Sequence, residues 1–213
     1  GLYLHWPFCQ SKCPYCDFNS HVAAHIDTNL WRSAYLTEID RLGDQTRGRV
    51  LQSIYFGGGT PSLMEPGLVA AILERVRATW PMANDAEVTL EANPGSIEAG
   101  KFAAFRQAGV NRVSMGMQAM NDADLQRLGR LHTAAEARSA FEIARGNLAI
   151  CVKLAGVVQG IDASALEGLG NHACQWPRLL FKHRFRDTCA KILTCQRVEW
   201  REVYHCAPRA FTS

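Results

Sequence analysis

Short apolar segments and longer amphipathic segments alternate along the first 145 residues of the chain. Apolar, β-prone runs predict strands over residues 2–6, 51–56, 87–92 and 111–116. Helical spacing of apolar residues predicts helices over residues 27–43, 68–80, 97–108, 122–128 and 134–145. The first helix is predicted to bury one apolar stripe, formed by Leu30, Ala34, Ile39 and Leu42.

Polar residues at the predicted helix starts can act as caps. Asp27 or Thr28 precedes the first helix, Ser96 the third and Thr133 the last. Their side-chain oxygens can accept hydrogen bonds from the free N–H groups of the first helical turn.

The alternation of strands and helices predicts an α/β fold with a parallel sheet, either a barrel or an open doubly wound sheet. Each of the four predicted strands ends in an unusual polar or glycine-rich segment: CPYCDF, GGGTPS, EANPGS and GMQ. Active sites of parallel α/β folds form at the carboxyl ends of the strands. The four segments are therefore expected to meet at one mouth.

The regular pattern stops near residue 146. Residues 147–158 offer one more strand, and the sequence beyond mixes cysteine, aromatic and basic residues without a clear period. Residues 1–146 hold 14 basic and 15 acidic side chains, whereas residues 147–213 hold 9 and 5. We therefore expect a domain over 1–146 and a divergent tail over 147–213. That tail is predicted to be a small module, poorly ordered sequence, or an artefact such as a shifted reading frame.

The composition is that of an ordinary globular protein, with 47% hydrophobic and 20% charged residues. A net charge of +3 gives no indication of a nucleic-acid partner. The sequence contains no run of 18 apolar residues, so it predicts no membrane span. The first residues also lack the pattern of a signal peptide. We expect a cytoplasmic protein, in which clustered cysteines bind metal or do redox chemistry.

Three of the eight cysteines, Cys9, Cys13 and Cys16, form a C-x3-C-x2-C cluster. Thiolates hold iron–sulfur clusters, and a cubane contains four irons, so three cysteines leave one iron open to a small molecule. The spacing therefore suggests an open-site 4Fe–4S cluster. A zinc site completed by His5 or His21 is the alternative. The other five cysteines are scattered and are expected to be isolated thiols.

The cysteine motif, with the aromatic Tyr15 before its last cysteine, resembles the signature of the radical S-adenosylmethionine (SAM) superfamily. Further segments resemble its coproporphyrinogen oxidase-like group, in the expected order: YLHWPFC (3–9), IYFGGGTPS (54–62), EANP (91–94), RVSMGMQ (112–118) and the arginine spacing through Arg127 and Arg130. This resemblance covers residues 1 to about 145. It implies a partial parallel (β/α) barrel, truncated and followed by an irregular C-terminal tail.

The resemblance also implies a cosubstrate and its chemistry. The amino and carboxylate groups of SAM would chelate the fourth iron, and an electron from the cluster would split the sulfonium bond and release a 5′-deoxyadenosyl radical. Tyr3 is expected to contact SAM near the cluster, and Tyr15 to lie by its adenine. The expected contacts of the methionine amino group are Gly58, Gly59 and Thr60.

Three further residues complete the predicted pocket. Glu91 is expected to hold ribose hydroxyls or the ammonium group, and Gln118 can donate and accept hydrogen bonds at once. Arg130 is expected to pair with the carboxylate of SAM as a fork. Arg127 is expected on the surface, and the lone histidines His132 and His172 are expected to be structural.

Three departures from the family pattern refine the prediction. Phe18 stands where oxygen-independent coproporphyrinogen oxidases carry a further cysteine, which resembles the HemW-type heme chaperones instead. Ala155 stands where the group has an aspartate on its next strand. The His-Asn-x-x-Tyr-Trp heme motif of the chaperones is not found in residues 147–213.

We therefore predict a radical SAM 4Fe–4S protein that handles heme. One alternative is an oxygen-independent coproporphyrinogen III oxidase, and another is a non-catalytic cluster- or zinc-binding module. The implied cofactors are the cluster, SAM and heme. The implied partners are heme or a porphyrin, an electron donor and a heme-accepting protein.

Overall fold

The computed structural model describes residues 1–16, 18–146, 148–154, 189–196 and 199–206. The strands are β1 Leu2–Trp6, β2 Leu51–Gly58, β3 Met82–Ala92, β4 Arg112–Gln118, β5 Ala149–Leu154, β6 Cys189–Gln196 and β7 Glu199–Cys206. The helices are α1 Thr28–Gln45, α2 Pro66–Thr79, α3 Ala99–Ala108, α4 Asp122–Arg127 and α5 Ala134–Arg145. Short 3-10 turns follow β2 at Pro61–Leu63 and β3 at Pro94–Ser96.

The strands form one sheet in the order β5-β4-β3-β2-β1-β6-β7. Neighbouring strands among β1 to β5 run parallel, whereas β6 is antiparallel to β1 and β7 is antiparallel to β6. Helices connect the parallel strands in turn. This confirms the predicted α/β fold with a parallel sheet, and β5 lies inside the range 147–158 where the sequence offered a strand.

The two faces of the sheet differ in chemistry because alternate residues of a strand point to opposite sides. One face carries large apolar side chains that pack with α1, α2, α3 and α5 in a single core. These core residues include Leu4, Phe56, Leu90 and Met115. The residues between them are mostly polar or small. The sheet therefore has one face covered by helices and one face available to line a site.

Helix α1 corrects the predicted stripe. The buried side chains are those of Trp31, Tyr35, Ile39 and Leu42. The positions of Ile39 and Leu42 are therefore confirmed, whereas Leu30 is 40% exposed and Ala34 is also exposed. The aromatic rings of Trp31 and Tyr35 lie one residue after the predicted positions. They pack against each other, and Trp31 also packs edge-on against Phe8. The larger aromatic area decides which side of the helix is buried.

The predicted caps are partly right. Asp27 accepts the N–H of Leu30 at 3.0 Å, and Thr133 forms a capping box with Glu136. Ser96 does not cap α3, which begins at Ala99 after Glu98. Its hydroxyl instead donates to Asn93 O at 2.7 Å, because the 3-10 turn keeps Ser96 close to the end of β3.

Most of the predicted tail, including Ala155 and His172, lies outside the described residues. Its predicted character therefore stays a prediction. Within the part of the chain that the structure describes, none of the helices combines the length and apolarity that a bilayer crossing requires.

Candidate functional site

A cleft of about 150 Å³ opens at the carboxyl ends of β1 to β4. Its wall comprises Cys9, Ser11, Lys12, Cys13, Tyr15, Cys16, Phe18, Ser20, Gly58, Gly59, Thr60, Glu91, Ala92, Asn93, Ser114, Gly116, Gln118 and Arg130. Every predicted site residue except Tyr3 belongs to this wall. The expectation of one mouth therefore agrees with the geometry.

The cysteine loop leaves β1 and is fixed by backbone hydrogen bonds. The N–H of Cys9 donates to His21 O at 2.9 Å, and the N–H of His21 donates to Pro7 O at 2.7 Å. Cys16 N–H donates to Cys13 O at 3.1 Å. All three cysteines are free and half-buried. The loop thus presents three thiols to the cleft.

The thiols are not gathered around one point. Within the described residues, no group of three or more His, Cys, Asp or Glu side chains could hold a single metal ion. A 4Fe–4S cluster does not require such a group, because each cysteine binds a different iron. His21 Nε2 hydrogen-bonds with Asn19 Oδ1 at 3.0 Å, and His5 Nε2 with Asn19 O at 3.1 Å. Both candidate zinc ligands therefore already hold partners in the loop.

The glycine segment after β2 lies directly against the cysteine loop. Gly59 N–H donates to Trp6 O at 2.6 Å and Thr60 N–H to Phe8 O at 2.8 Å. A Cβ on Gly59 would lie 2.5 Å from Phe8 O, so only glycine fits. The hydroxyl of Thr60 lies 3.5 Å from Cys9 Sγ, within reach of a weak hydrogen bond.

Glu91, one residue before the end of β3, has both carboxylate oxygens engaged. Oε1 accepts the hydroxyl of Tyr55 at 2.8 Å, and Oε2 accepts the N–H of Gly58 at 3.2 Å. Gly58 has a positive φ of 112°, which favours glycine and turns its N–H toward the carboxylate. The carboxylate therefore joins the ends of β2 and β3 in the wall of the cleft.

Arg130 connects the loop after α4 to the cysteine loop. Its Nη1 lies 3.5 Å from Cys13 Sγ and 3.4 Å from the hydroxyl of Tyr15, and its Nη2 donates to Gly116 O at 3.0 Å. Burial raises the pKa of Tyr15; the charge of Arg130 opposes this effect, and Cys13 adds to it. A guanidinium here can stabilise negative charge on the thiolates or on a bound carboxylate.

Two buried polar atoms in this wall have no hydrogen-bond partner among the described residues. They are the hydroxyl of Ser114, a residue only 3% exposed, and Nε of Arg130. Buried polar groups normally find a partner, so both atoms fit a polar ligand in the cleft. The residues present therefore fit SAM, which carries amino, carboxylate and ribose groups.

Gln118 lies in the wall of the cleft, whereas Tyr3 does not. Gln118 ends β4 in the wall of the cleft with a positive φ of 70°, uncommon for a residue other than glycine. Tyr3 packs below the wall, with its ring stacked on Tyr55 at 5.9 Å. Burial, with a further contribution from Glu91, raises the pKa of Tyr3 well above its ordinary value. A contact between Tyr3 and SAM stays a prediction.

The predicted positions of Arg127 and His132 agree with the structure. Arg127 is exposed, and its side chain lies 3.5 Å from Asp124. His132 is buried and donates from Nε2 to Met117 O at 3.2 Å, which is a structural role.

Sequence reasoning missed Tyr55, Ser114 and Gly129. Tyr55 and Ser114 lie inside quoted motifs, but alternation alone does not reveal that Ser114 lines the cleft or that Tyr55 holds Glu91 in its wall. Gly129 has a φ of 65°, and a Cβ there would lie 2.7 Å from Pro14 Cδ. The loop after α4 therefore presses against the cysteine loop.

Comparison with known proteins identifies the class. Residues 3–167 match the family described as the radical SAM superfamily, and the chain belongs to that superfamily. The family match continues past residue 145, the approximate limit that the motifs indicated. This confirms the predicted family.

Two relatives show which members of the superfamily this chain is similar to. The chain is 44% identical over 147 residues to the heme chaperone HemW of Escherichia coli (strain K12), covering 68% of this chain and 39% of that protein. It is also 44% identical over 145 residues to the radical S-adenosyl methionine domain-containing protein 1, mitochondrial, of Mus musculus, covering 68% and 33%. The chain thus spans about two fifths or less of the length of these relatives.

A solved structure is similar as well. Coproporphyrinogen III oxidase (HemN) from Escherichia coli, a radical SAM enzyme, matches with a TM-score of 0.65 and 26% identity. The match covers 71% of this chain and 36% of that one. It confirms that the parallel sheet and its helices have the fold of this superfamily.

Proposed function

We propose that this chain is a radical SAM protein of the heme-chaperone type, with a 4Fe–4S cluster on Cys9, Cys13 and Cys16. The observation that carries the proposal is the meeting of the cysteine loop, the Gly58–Thr60 segment and the polar side chains of β3 and β4 in one cleft. The similarity to the heme chaperone HemW supports the choice within the superfamily.

Different residues of the cleft bind different groups of the cosubstrate. Gly58, Gly59 and Thr60 hold its amino group, and Arg130 binds its carboxylate through charge-assisted hydrogen bonds. Glu91 holds ribose hydroxyls or the ammonium group, and the side-chain amide of Gln118 adds a further hydrogen bond. When bound, the cluster supplies the electron that cleaves the sulfonium bond of SAM.

Heme handling is the finer part of the proposal. Phe18 lies in the wall of the cleft and is 57% exposed. An aromatic side chain there supplies apolar surface where a cysteine would supply a further thiol. The further proposed partners are an electron donor and a heme-accepting protein, and the proposed location is the cytoplasm.

Heme binding and porphyrinogen conversion separate the two main candidates. The chain is reconstituted with iron and sulfide without oxygen, and then titrated with heme and, separately, incubated with coproporphyrinogen III, SAM and a reductant. The proposal expects stoichiometric heme binding and no protoporphyrinogen IX. Conversion of the porphyrinogen, or the lack of heme binding, would overturn it.

The second candidate is an oxygen-independent coproporphyrinogen III oxidase. The similarity to the solved structure of HemN favours it. It predicts protoporphyrinogen IX together with 5′-deoxyadenosine in the same incubation.

A further inference from the structure

The carboxylate of Glu91 is held from two directions. The hydroxyl of Tyr55 donates to Oε1 at 2.8 Å, and the backbone N–H of Gly58 donates to Oε2 at 3.2 Å. A glutamate side chain has several rotatable bonds, so one hydrogen bond alone leaves the plane of its carboxylate free to turn. Two donors on different oxygens fix that plane.

Tyr55 is itself held in place below the wall of the cleft. It pairs in register with Tyr3 on β1 and with Thr89 on β3. Its ring stacks on that of Tyr3, with centroids 5.9 Å apart and planes 13° apart. The stacking therefore gives the Tyr55 hydroxyl a defined direction. Tyr55 itself is not part of the cleft wall.

We propose that Tyr55 is a positioning residue, which orients the Glu91 carboxylate for SAM without touching the cosubstrate. The proposal rests on the proposed function, because it requires Glu91 to bind SAM. A carboxylate offers about four acceptor positions, so holding two donors is compatible with binding a ligand group. Orienting the group before binding removes an entropic cost that the ligand would otherwise have to overcome.

A structural role is the competing explanation. Tyr55 is a half-buried aromatic residue on a central strand, and its loss could weaken the fold rather than the site. Tyr35→Phe is a matched control, since the Tyr35 hydroxyl is also buried and donates to His5 O at 2.6 Å. That bond does not involve Glu91, so its removal reports on the general effect of losing a tyrosine hydroxyl.

The test is a double-mutant cycle with Tyr55→Phe and Glu91→Ala on the reconstituted protein. Equilibrium dialysis measures the Kd of SAM, and urea unfolding measures stability for every variant. Tyr55→Phe removes one oxygen and keeps the ring. We expect it to raise the Kd roughly tenfold, the effect of one hydrogen bond to a charged group. In the Glu91→Ala background it should change the Kd less than about twofold.

Each other result has a definite meaning. An unchanged Kd in Tyr55→Phe overturns the proposal, and so does an equal loss of affinity with and without Glu91. A comparable loss in Tyr35→Phe also overturns it, because the effect would then be general. If the unaltered protein does not bind SAM at all, the proposed function fails first. If Glu91→Ala weakens binding and Tyr55→Phe does not, only the positioning role fails.

Discussion

Replacing Gly59 by alanine should lower the stability of the fold and displace the cysteine loop. A Cβ at this position would lie 2.5, 2.8 and 3.0 Å from the O, C and N atoms of Phe8. Because these are backbone atoms, no side-chain rotation can relieve the overlap. The end of β2 or the start of the cysteine loop must shift instead.

The size of the effect follows from the bonds that the shift disturbs. Overpacking typically costs about 1–3 kcal/mol. Two backbone hydrogen bonds, Gly59 N–H to Trp6 O and Thr60 N–H to Phe8 O, are also strained or lost. At about 0.5–1.5 kcal/mol each, they bring the expected fall in the free energy of unfolding to about 2–6 kcal/mol. Cys9 directly follows Phe8, so the first proposed cluster ligand moves as well.

Urea unfolding of the apoprotein and iron content after anaerobic reconstitution measure the two consequences. Gly100→Ala is the matched control, because a Cβ there meets nothing within 4 Å and Gly100 lies in the first turn of α3. Alanine in a helix should leave stability unchanged or raise it by up to about 1 kcal/mol. If Gly59→Ala unfolded like the unaltered protein and bound as much iron, the close approach of Gly59 to the Phe8 backbone would not require glycine at this position.

Three further predictions concern other parts of the cleft and its support. Burial, and then the charge of Arg130, lowers the pKa of His132. The neutral imidazole therefore contributes stability above the ordinary histidine pKa, and this contribution is lost as the pH falls. His132→Gln should flatten the dependence of urea unfolding on pH below about 7. Arg130→Gln should weaken SAM binding about 10- to 100-fold, while Arg127→Gln, at an 82% exposed side chain, should leave it unchanged. Ser114→Ala removes a buried hydroxyl without a described partner, and should weaken SAM binding severalfold while leaving the apoprotein equally or more stable.

Each of these predictions can fail clearly. An equally steep pH dependence in His132→Gln would show that another group causes it. Equal losses of SAM affinity in both arginine variants would point to a general charge effect. Loss of apoprotein stability in Ser114→Ala would indicate that the hydroxyl serves the fold rather than the ligand.

The order of strands and helices from β1 to β5 could be predicted because most of these elements carry their own period and their own stop signal, whereas β6 and β7 were not predicted. Asn93-Pro94-Gly95 directly follows the end of β3, whereas β2 continues two residues into GGGTPS before it ends at Gly58. The start of β3 at Met82 could not be predicted, because Asn84 and Asp85 disfavour strand by local propensity. Pairing with β2, from Leu51 opposite Met82, overrides that preference.

The candidate site could be predicted where a residue lies at the carboxyl end of a strand, as for Gln118 at the last position of β4 and Glu91 one residue before the end of β3. Supporting residues were missed because their role depends on neighbours in space. Tyr55 lies 36 positions before Glu91, and Gly129 contacts Pro14 from the far end of α4. Nothing in the local sequence joins these pairs; only the assembled sheet does.

The proposed cluster is tested most directly by the metal content of the anaerobically reconstituted protein and by its spectrum with and without SAM. A cluster on the three cysteines predicts about four irons per chain, an electron paramagnetic resonance spectrum of the reduced cluster that changes when SAM is added, and loss of the cluster when Cys9, Cys13 or Cys16 is replaced singly by alanine. Stoichiometric zinc without iron, or a cluster whose spectrum does not respond to SAM, would contradict it.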